Sequence, residues 1–421
     1  MTGTTTSKVS RNVIFLVIVA ALGYFVDIYD LLIFSILRKE SLTAIGVPAD
    51  QILDKGLFIQ NMQMLGLLIG GVIWGVMGDK FGRIKVLFGS ILLYSIANFA
   101  NGFVADVNTY ALIRFIAGIG LAGELGAGIT LVTETMSKEN RGYGTSLVAI
   151  IGLFGAVAAA QAAHFGWQKA YFIGGGLGVL LLLLRLGTFE SGLFKQVEES
   201  GVTKGNVLML FNNRKRFWKY LCCILIGMPL WFVVGILITL SPEFGKALGA
   251  PTPLSAGTGV MWTYIGISIG GVFAGLLSQF TRSRKLTMLV FLLLSVVSVV
   301  CYLKATGITQ QQFIWLCLFM GTCVGYWATF VTIASEQFGT NLRATVTTTV
   351  PNFVRGSLIP ISVYFLFFVK QFNPLAPKGP KQGEAMINSA YIMMAILTVI
   401  ALFALTQLKE SFGKDLNYVE E

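Results

Sequence analysis

The chain has 421 residues, 12% of them charged and 55% hydrophobic, with a formal net charge of +11. Soluble globular domains carry about 25% charged residues, and so thin a supply cannot cover the surface of a water-soluble body of this length. Two or three soluble domains are thereby excluded, and the chain reads as an all-α polytopic membrane protein.

A helix crosses a bilayer with about 20 mainly apolar residues. Twelve stretches qualify in chain order: 13–37, 57–77, 86–104, 109–134, 142–164, 170–189, 218–240, 257–280, 286–304, 312–335, 345–369 and 388–408. The first is too long, and too polar within, for a cleaved signal peptide. With the N-terminus placed inside, twenty of the 31 Lys and Arg fall in interior segments or at their edges and nine fall outside. This positive-inside bias predicts a multi-pass protein of the cytoplasmic (inner) membrane with both termini cytoplasmic. It also assigns the run Arg214, Lys215, Arg216 and Lys219 to topology, with no nucleic-acid partner, and puts Arg185 at an inner membrane edge. The longest interior loop, 190–217, divides six spans in 1–189 from six in 218–421. Cys222, Cys223, Cys301, Cys317 and Cys323 sit in apolar stretches with neither metal nor disulfide spacing. The single histidine, His164, falls at a span end, where it reads as interfacial. No metal, cofactor or enzyme centre is expected.

The halves repeat. Gly75, Asp79, Lys80, Gly82, Arg83 and Lys85 lie between spans two and three, and Gly275, Gln279, Arg282, Arg284 and Lys285 lie between spans eight and nine. Glu134 and Arg141 follow span four, and Glu336 and Arg343 follow span ten at the same spacing. Two six-helix bundles related by a parallel repeat suit alternating access, in which one half rocks against the other.

The first loop motif resembles the signature of the major facilitator superfamily. Arg114, Gly118, Gly120, Gly123 and Glu124 in span four, Gly23, Asp27, Tyr29 and Asp30 in span one, and Glu336, Gln337, Gly339 and Arg343 after span ten resemble its metabolite:proton symporter and organic-ion branches. The resemblance implies twelve transmembrane helices in two pseudo-symmetric bundles, the major facilitator fold, over essentially the whole chain. Two departures stand out: Gln279 and Arg282 replace the acid and the glycine of the first loop copy, and Asp27 stands where a glutamate is common. Asp79, Arg83, Glu134, Arg141, Glu336 and Arg343 are the gating candidates, with Asp79 accepting from cytoplasmic arginines or from N–H groups at a helix start.

Ionisable side chains inside spans are costly and mark function by default. Five are clear: Asp27, Asp30, Glu124, Arg114 and Arg355. At 1.5 Å per residue, Asp27, Asp30 and Arg114 are expected at about 22, 27 and 30 Å above the inner face, and Glu124 and Arg355 at about 15 and 16 Å. Asp27 and Asp30, three residues apart, can share a face; two close carboxylates resist double ionisation, which makes Asp27 the leading proton carrier, with Asp30 and Glu124 as further proton-coupling candidates. Asp30 and Arg114 can then be the structural pair that tunes it, and a fixed scaffold of Asp27, Asp30 and Arg114 is the alternative. Arg355, between Pro351 and Pro360, sits on a stretch expected to be distorted. It either holds an anionic substrate group or bridges permanently to Glu124. Arg114, Tyr24, Gln161, Trp231, Tyr326, Trp327 and Asn352 complete the substrate-binding candidates. The function expected is proton-coupled symport importing a small organic anion or zwitterion, by a protein acting as a monomer in the lipid bilayer; uniport or proton-coupled export of such a metabolite is the alternative.

Overall fold

A computed structural model describes residues 11–81, 83–124, 126, 128, 132, 136, 141–190, 207–373 and 381–413. The chain runs through α1 (Arg11–Ala44), α2 (Ile52–Phe81), α3 (Arg83–Asn101), α4 (Val107–Leu121), α5 (Arg141–Ala162) and α6 (Trp167–Glu190). It continues through α7 (Arg214–Leu225), α8 (Met228–Phe232), α9 (Ser241–Ala247), α10 (Ala256–Thr281) and α11 (Arg284–Leu303). The last elements are α12 (Gln310–Cys323), α13 (Trp327–Glu336), α14 (Thr340–Gly356), α15 (Leu358–Phe372) and α16 (Lys381–Gln407). Among the described residues ten helical stretches are long and apolar enough to cross a membrane, and α4 is a shorter apolar helix. The protein is an all-α polytopic membrane protein.

Several expected spans are not single helices. The seventh is α7, then α8 with Pro229 in its first turn, then a π-helical turn over Val233–Ile238. The tenth is broken between α12 and α13, and the eleventh between α14 and α15 at Ser357. Pro351 itself lies inside a continuous α14, so the distortion expected between the two prolines is confined to Ser357. Such interruptions are stable within a bilayer only where protein buries the loosened backbone. Here Gly227 faces Val354 and Phe330, and Gly235 faces Leu358.

Glycine seams set the helix pairing. A side chain at Gly66 or Gly70 of α2 would collide with the backbone of Phe115 or Ile119 in α4, and one at Gly118 would strike the Gln63 carbonyl. The same contact recurs later in the chain, where Gly266 and Gly270 of α10 meet Leu318 and Thr322 of α12, and Gly321 meets Thr263. Small residues let backbones approach where lipid offers no hydrophobic drive for association. The seams lie 200 residues apart on the first helix of each pair, the offset of the loop repeat. Contacts between the early and late helices run through α1 and α5 against α10, and α2 against α14 and α15. Ser362 donates to Asn61 Oδ1 at 2.9 Å, and Asn352 donates to the Ala122 carbonyl at 3.0 Å.

Candidate functional site

Among the described residues, the ion pair widest in sequence separation joins an early helix to a late one. Arg355 Nη2 donates to Asp27 Oδ2 at 3.2 Å, with both side chains at most 1% exposed. Trp327, the first residue of α13, presents its ring to the guanidinium at 5.9 Å, and Tyr24 and Tyr264 flank the same group. This pairing corrects two expectations. Asp27 does not stand a level above Arg355, because α1 continues to Ala44, well past residue 37, so that Asp27 lies at its midpoint. Nor does Arg355 bridge to Glu124.

Glu124 is held by Arg185 of α6, which donates from Nη1 to Oε1 and from Nη2 to Oε2, both at 2.9 Å. Ser90 adds a longer contact to Oε1 at 3.4 Å. Arg185 is only 3% exposed. Its place near the end of an apolar run suggested a membrane edge, and only packing brings it inward to Glu124. A buried carboxylate with no basic neighbour in sequence was the one signal that such a partner had to exist.

Asp30 and Arg114 form a third, fully buried pair. Arg114 Nη1 donates to Asp30 Oδ1 at 2.9 Å and Nη2 to the Asp30 backbone carbonyl at 2.8 Å, with Asn98 Oδ1 at 3.5 Å from Nη1. The guanidinium also lies 5.7 Å from the Tyr171 ring, and Tyr171 shares a 2.6 Å hydroxyl contact with Tyr110. Asp27 and Asp30 are each engaged by their own arginine, on different helices. A fourth buried arginine, Arg38, went unremarked in the sequence because it closes a span. It reaches Glu243 of α9 at 2.5 Å and is 1% exposed.

The remaining candidates divide. Asn352 lies one turn before Arg355, buried, with its amide nitrogen on Ala122 and its Oδ1 free of hydrogen bonds. Trp231 on α8 is 3% exposed and its Nε1–H has no acceptor. Tyr326 is fully buried against Phe291, with Leu230 beside its hydroxyl. Gln161 does not join the charged cluster: it is exposed near the end of α5, with its amide nitrogen 3.5 Å from the Met261 sulfur. His164 is exposed in the short turn after that helix. Among the described residues no group of His, Cys, Asp and Glu could hold a metal ion.

Residues 13–363 match the family model described as Major Facilitator Superfamily. The chain belongs to the major facilitator superfamily. It is 27% identical over 414 residues to a Haemophilus influenzae protein provisionally named a metabolite transport protein, covering 91% of this chain and 93% of that one. It is 26% identical over 337 residues to the sialic acid transporter NanX of Escherichia coli (strain K12), covering 77% and 79%. The solved structure of a D-xylose-proton symporter has the same fold, with a TM-score of 0.71 at 18% identity over 96% of this chain and 100% of that one. This superfamily member is a secondary active transporter of the alternating-access kind, related to the metabolite-transporter branches.

The first copy of the superfamily loop motif spans the end of α2 and the start of α3. The side chains of Asp79, Arg83 and Arg141, and all of Glu134, lie outside the described residues. In the second copy Gln279 is exposed, and Arg282 ends α10 with φ 51°. That left-handed conformation suits glycine, the residue of the first copy at this point. Arg284 contacts Glu336 at 3.4 Å, and Glu336 accepts from Ser411 at 2.7 Å. Arg343 donates to the carbonyls of Ser335 and Phe338, at 3.3 and 3.4 Å. The acid that Gln279 lacks is supplied from the far end of the chain. Glu410 accepts from the backbone N–H of Arg284 and Lys285 at the start of α11, and from the Ser283 hydroxyl. Sequence reading missed Glu410 because it lies beyond the last span.

Proposed function

We propose that this transporter imports a small organic anion together with a proton, by competition for Arg355. The observation that carries the reading is the buried Asp27–Arg355 contact between an early and a late helix. With Asp27 ionised the pair is neutral, and this contact leaves no net charge in the unloaded protein. A substrate carboxylate arriving on Arg355 beside ionised Asp27 would leave one uncompensated negative charge in a dry site, which is strongly unfavourable. If Asp27 takes up a proton as the carboxylate takes Arg355, neutrality returns. Only the empty and the doubly loaded states are then electrically balanced, and these are the two that can change orientation. Proton coupling follows from charge balance alone.

The architecture is read in the same way. The two glycine seams, the loop repeat and the helical breaks support twelve spans in two pseudo-symmetric six-helix bundles, 1–189 and 218–421, joined by 190–217. Both termini are taken as cytoplasmic from the positive-inside bias, and the unit of transport as a monomer. Asp79, Arg83, Glu134 and Arg141 would close the cytoplasmic side of the first bundle, and Glu336 and Arg343 that of the second. Asp30–Arg114 and Glu124–Arg185 serve as neutral frames around Asp27. The name of the sialic acid transporter among the relatives agrees with an acidic substrate. Purified protein in liposomes, screened with organic acids under an inward-acidic gradient, tests the reading. Asp27→Asn should abolish uphill accumulation while leaving exchange across the membrane partly intact. Accumulation at wild-type strength in that variant would rule out Asp27 as the carrier.

A further inference from the structure

The first turn of α7 gathers Arg214, Lys215 and Arg216 and holds no acidic residue. The helix dipole opposes positive charge at a helix start, so this placement calls for an anion. Asn213 accepts from the N–H groups of Lys215 and Arg216, at 2.9 and 3.3 Å, but as a neutral cap it leaves the charge uncompensated. The positive-inside rule accounts for the membrane face these cations occupy, not for what surrounds them there. Arg214 and Lys215 are exposed, and so is Lys409, just past the end of α16. Among the described residues none of these three enters an ion pair. Glu410, beside Lys409, is committed to the N–H groups of Arg284 and Lys285. Gln337 draws the two basic segments to one end of the molecule. Its carbonyl accepts from Lys219 Nζ at 2.8 Å, and its side-chain amide donates to the Lys409 carbonyl at 2.6 Å.

One turn beyond Arg214, and on the same face of α7, Trp218 meets Phe403 of α16 edge-on, with ring centroids 6.4 Å apart. Both rings are exposed, by 42% and 53%. Trp218 lies about 6 Å deeper along α7 than Arg214, and tryptophan settles at the boundary between headgroups and acyl chains. Val399 and Ile396, also exposed, carry the apolar surface of α16 further into the bilayer at helical spacing from Phe403. Cations, an aromatic pair and an aliphatic track thus follow one another, in the order phosphate, glycerol and acyl chain of a phospholipid. A soluble anion would use only the cations. We propose that this surface, where α7 packs against α16, binds an anionic phospholipid of the adjoining leaflet. The headgroup phosphate takes Arg214, Lys215 and Lys409, and one acyl chain runs along Phe403, Val399 and Ile396. The lipid supplies the negative charge that the first turn of α7 lacks and braces α7 against α16. None of these residues takes part in the Asp27–Arg355 contact.

The test titrates purified full-length protein in detergent with dibrominated phosphatidylglycerol or dibrominated phosphatidylcholine. Bromine quenches tryptophan on contact, and the part of the quenching that is missing in Trp218→Phe belongs to Trp218. Half-quenching of that part should need about tenfold less phosphatidylglycerol than phosphatidylcholine, or lower still, and the gap should narrow as salt rises. Arg214→Gln, Lys215→Gln and Lys409→Gln should each cut the preference about fivefold. Arg214→Lys and Lys215→Arg keep the charge and should retain it, and any one neutral variant that folds suffices for the comparison. Equal half-quenching by the two lipids in wild type would overturn the proposal. So would a phosphatidylglycerol preference that stays unchanged in the neutral variants. Unbrominated phosphatidylglycerol should relieve the quenching, whereas soluble glycerol phosphate at the same concentration should not. Equal relief by both would mean an anion site without an acyl-chain contact, and would overturn the lipid assignment.

Discussion

Arg38 of α1 closes on Glu243 of α9 at 2.5 Å across 205 residues of sequence, with the arginine 1% exposed and the glutamate side chain 22% exposed. Arg38 also donates to the Ile52 carbonyl at 3.4 Å, and Gly56 packs against its stem. The pair ties an early helix to a late one at the end of the protein opposite Arg284. Glu243→Gln leaves a buried guanidinium half satisfied, at a cost on the order of 2 kcal/mol. The melting temperature in detergent should fall and the transport rate should change. Exchanging the two residues, R38E/E243R, should recover part of both. Unchanged melting and unchanged rate in Glu243→Gln would show that the bridge is idle.

Glu124 and Arg185 should behave as a closed unit. Either Arg185→Ala or Glu124→Gln leaves one buried charge without its partner, a loss of about 3–5 kcal/mol in a buried pair. The double change R185A/E124A should be milder than the sum of its singles, whereas R355A/E124A should show no such recovery, since those side chains are not partners. A thermal double-mutant cycle separates the two cases.

At Arg355, replacement by lysine keeps a positive charge but loses the planar fork, so affinity for an anionic substrate should drop. Replacement by alanine should cost more, on the order of 2–5 kcal/mol, because the substrate anion is left unpaired. Calorimetry with an acid and its uncharged amide reports the difference. Equal losses for the two ligands would point to a purely structural arginine.

Glu410, beyond the last helix, responds to acid in a predictable direction. Partial burial pushes its carboxyl upward, but the Ser283 hydroxyl and the N–H groups of Phe412, Arg284 and Lys285 outweigh this and hold it at about 2, against an ordinary 4.5. A depressed folded-state value means that the stabilisation is fully present above about pH 4.5. It is lost as pH falls from there towards 2. Glu410→Gln should flatten the melting temperature's dependence on pH across this window. The same acid slope in wild type and variant would mean that the capping contact contributes nothing.

The membrane class, the repeat and the identity of the costly buried charges were legible before any coordinates, because the cost of placing a residue in lipid depends on that residue and its immediate run. Asp27, Asp30, Arg114, Glu124 and Arg355 stand out against apolar neighbours for this reason. Of the pairings, Asp30 with Arg114 was legible from their similar depth; the others were not. Glu124 finds Arg185, 61 residues on, and Asp27 finds Arg355, 328 residues on; no local pattern encodes either distance. Arg38, Arg185 and Glu410 sit at or beyond span ends, where composition reads them as solvated, and only packing draws them into pairs or caps. The breaks after Leu225 and Cys323 were equally hidden, since interrupted and continuous helices share the same apolar composition, whereas Pro351 and Pro360 signalled the one after Gly356. Composition set the environment of each side chain, one residue at a time. Partnership depends on how helices cross, and the crossing is decided by glycine contacts such as Gly118 on Gln63 and Gly321 on Thr263, between segments far apart in the chain.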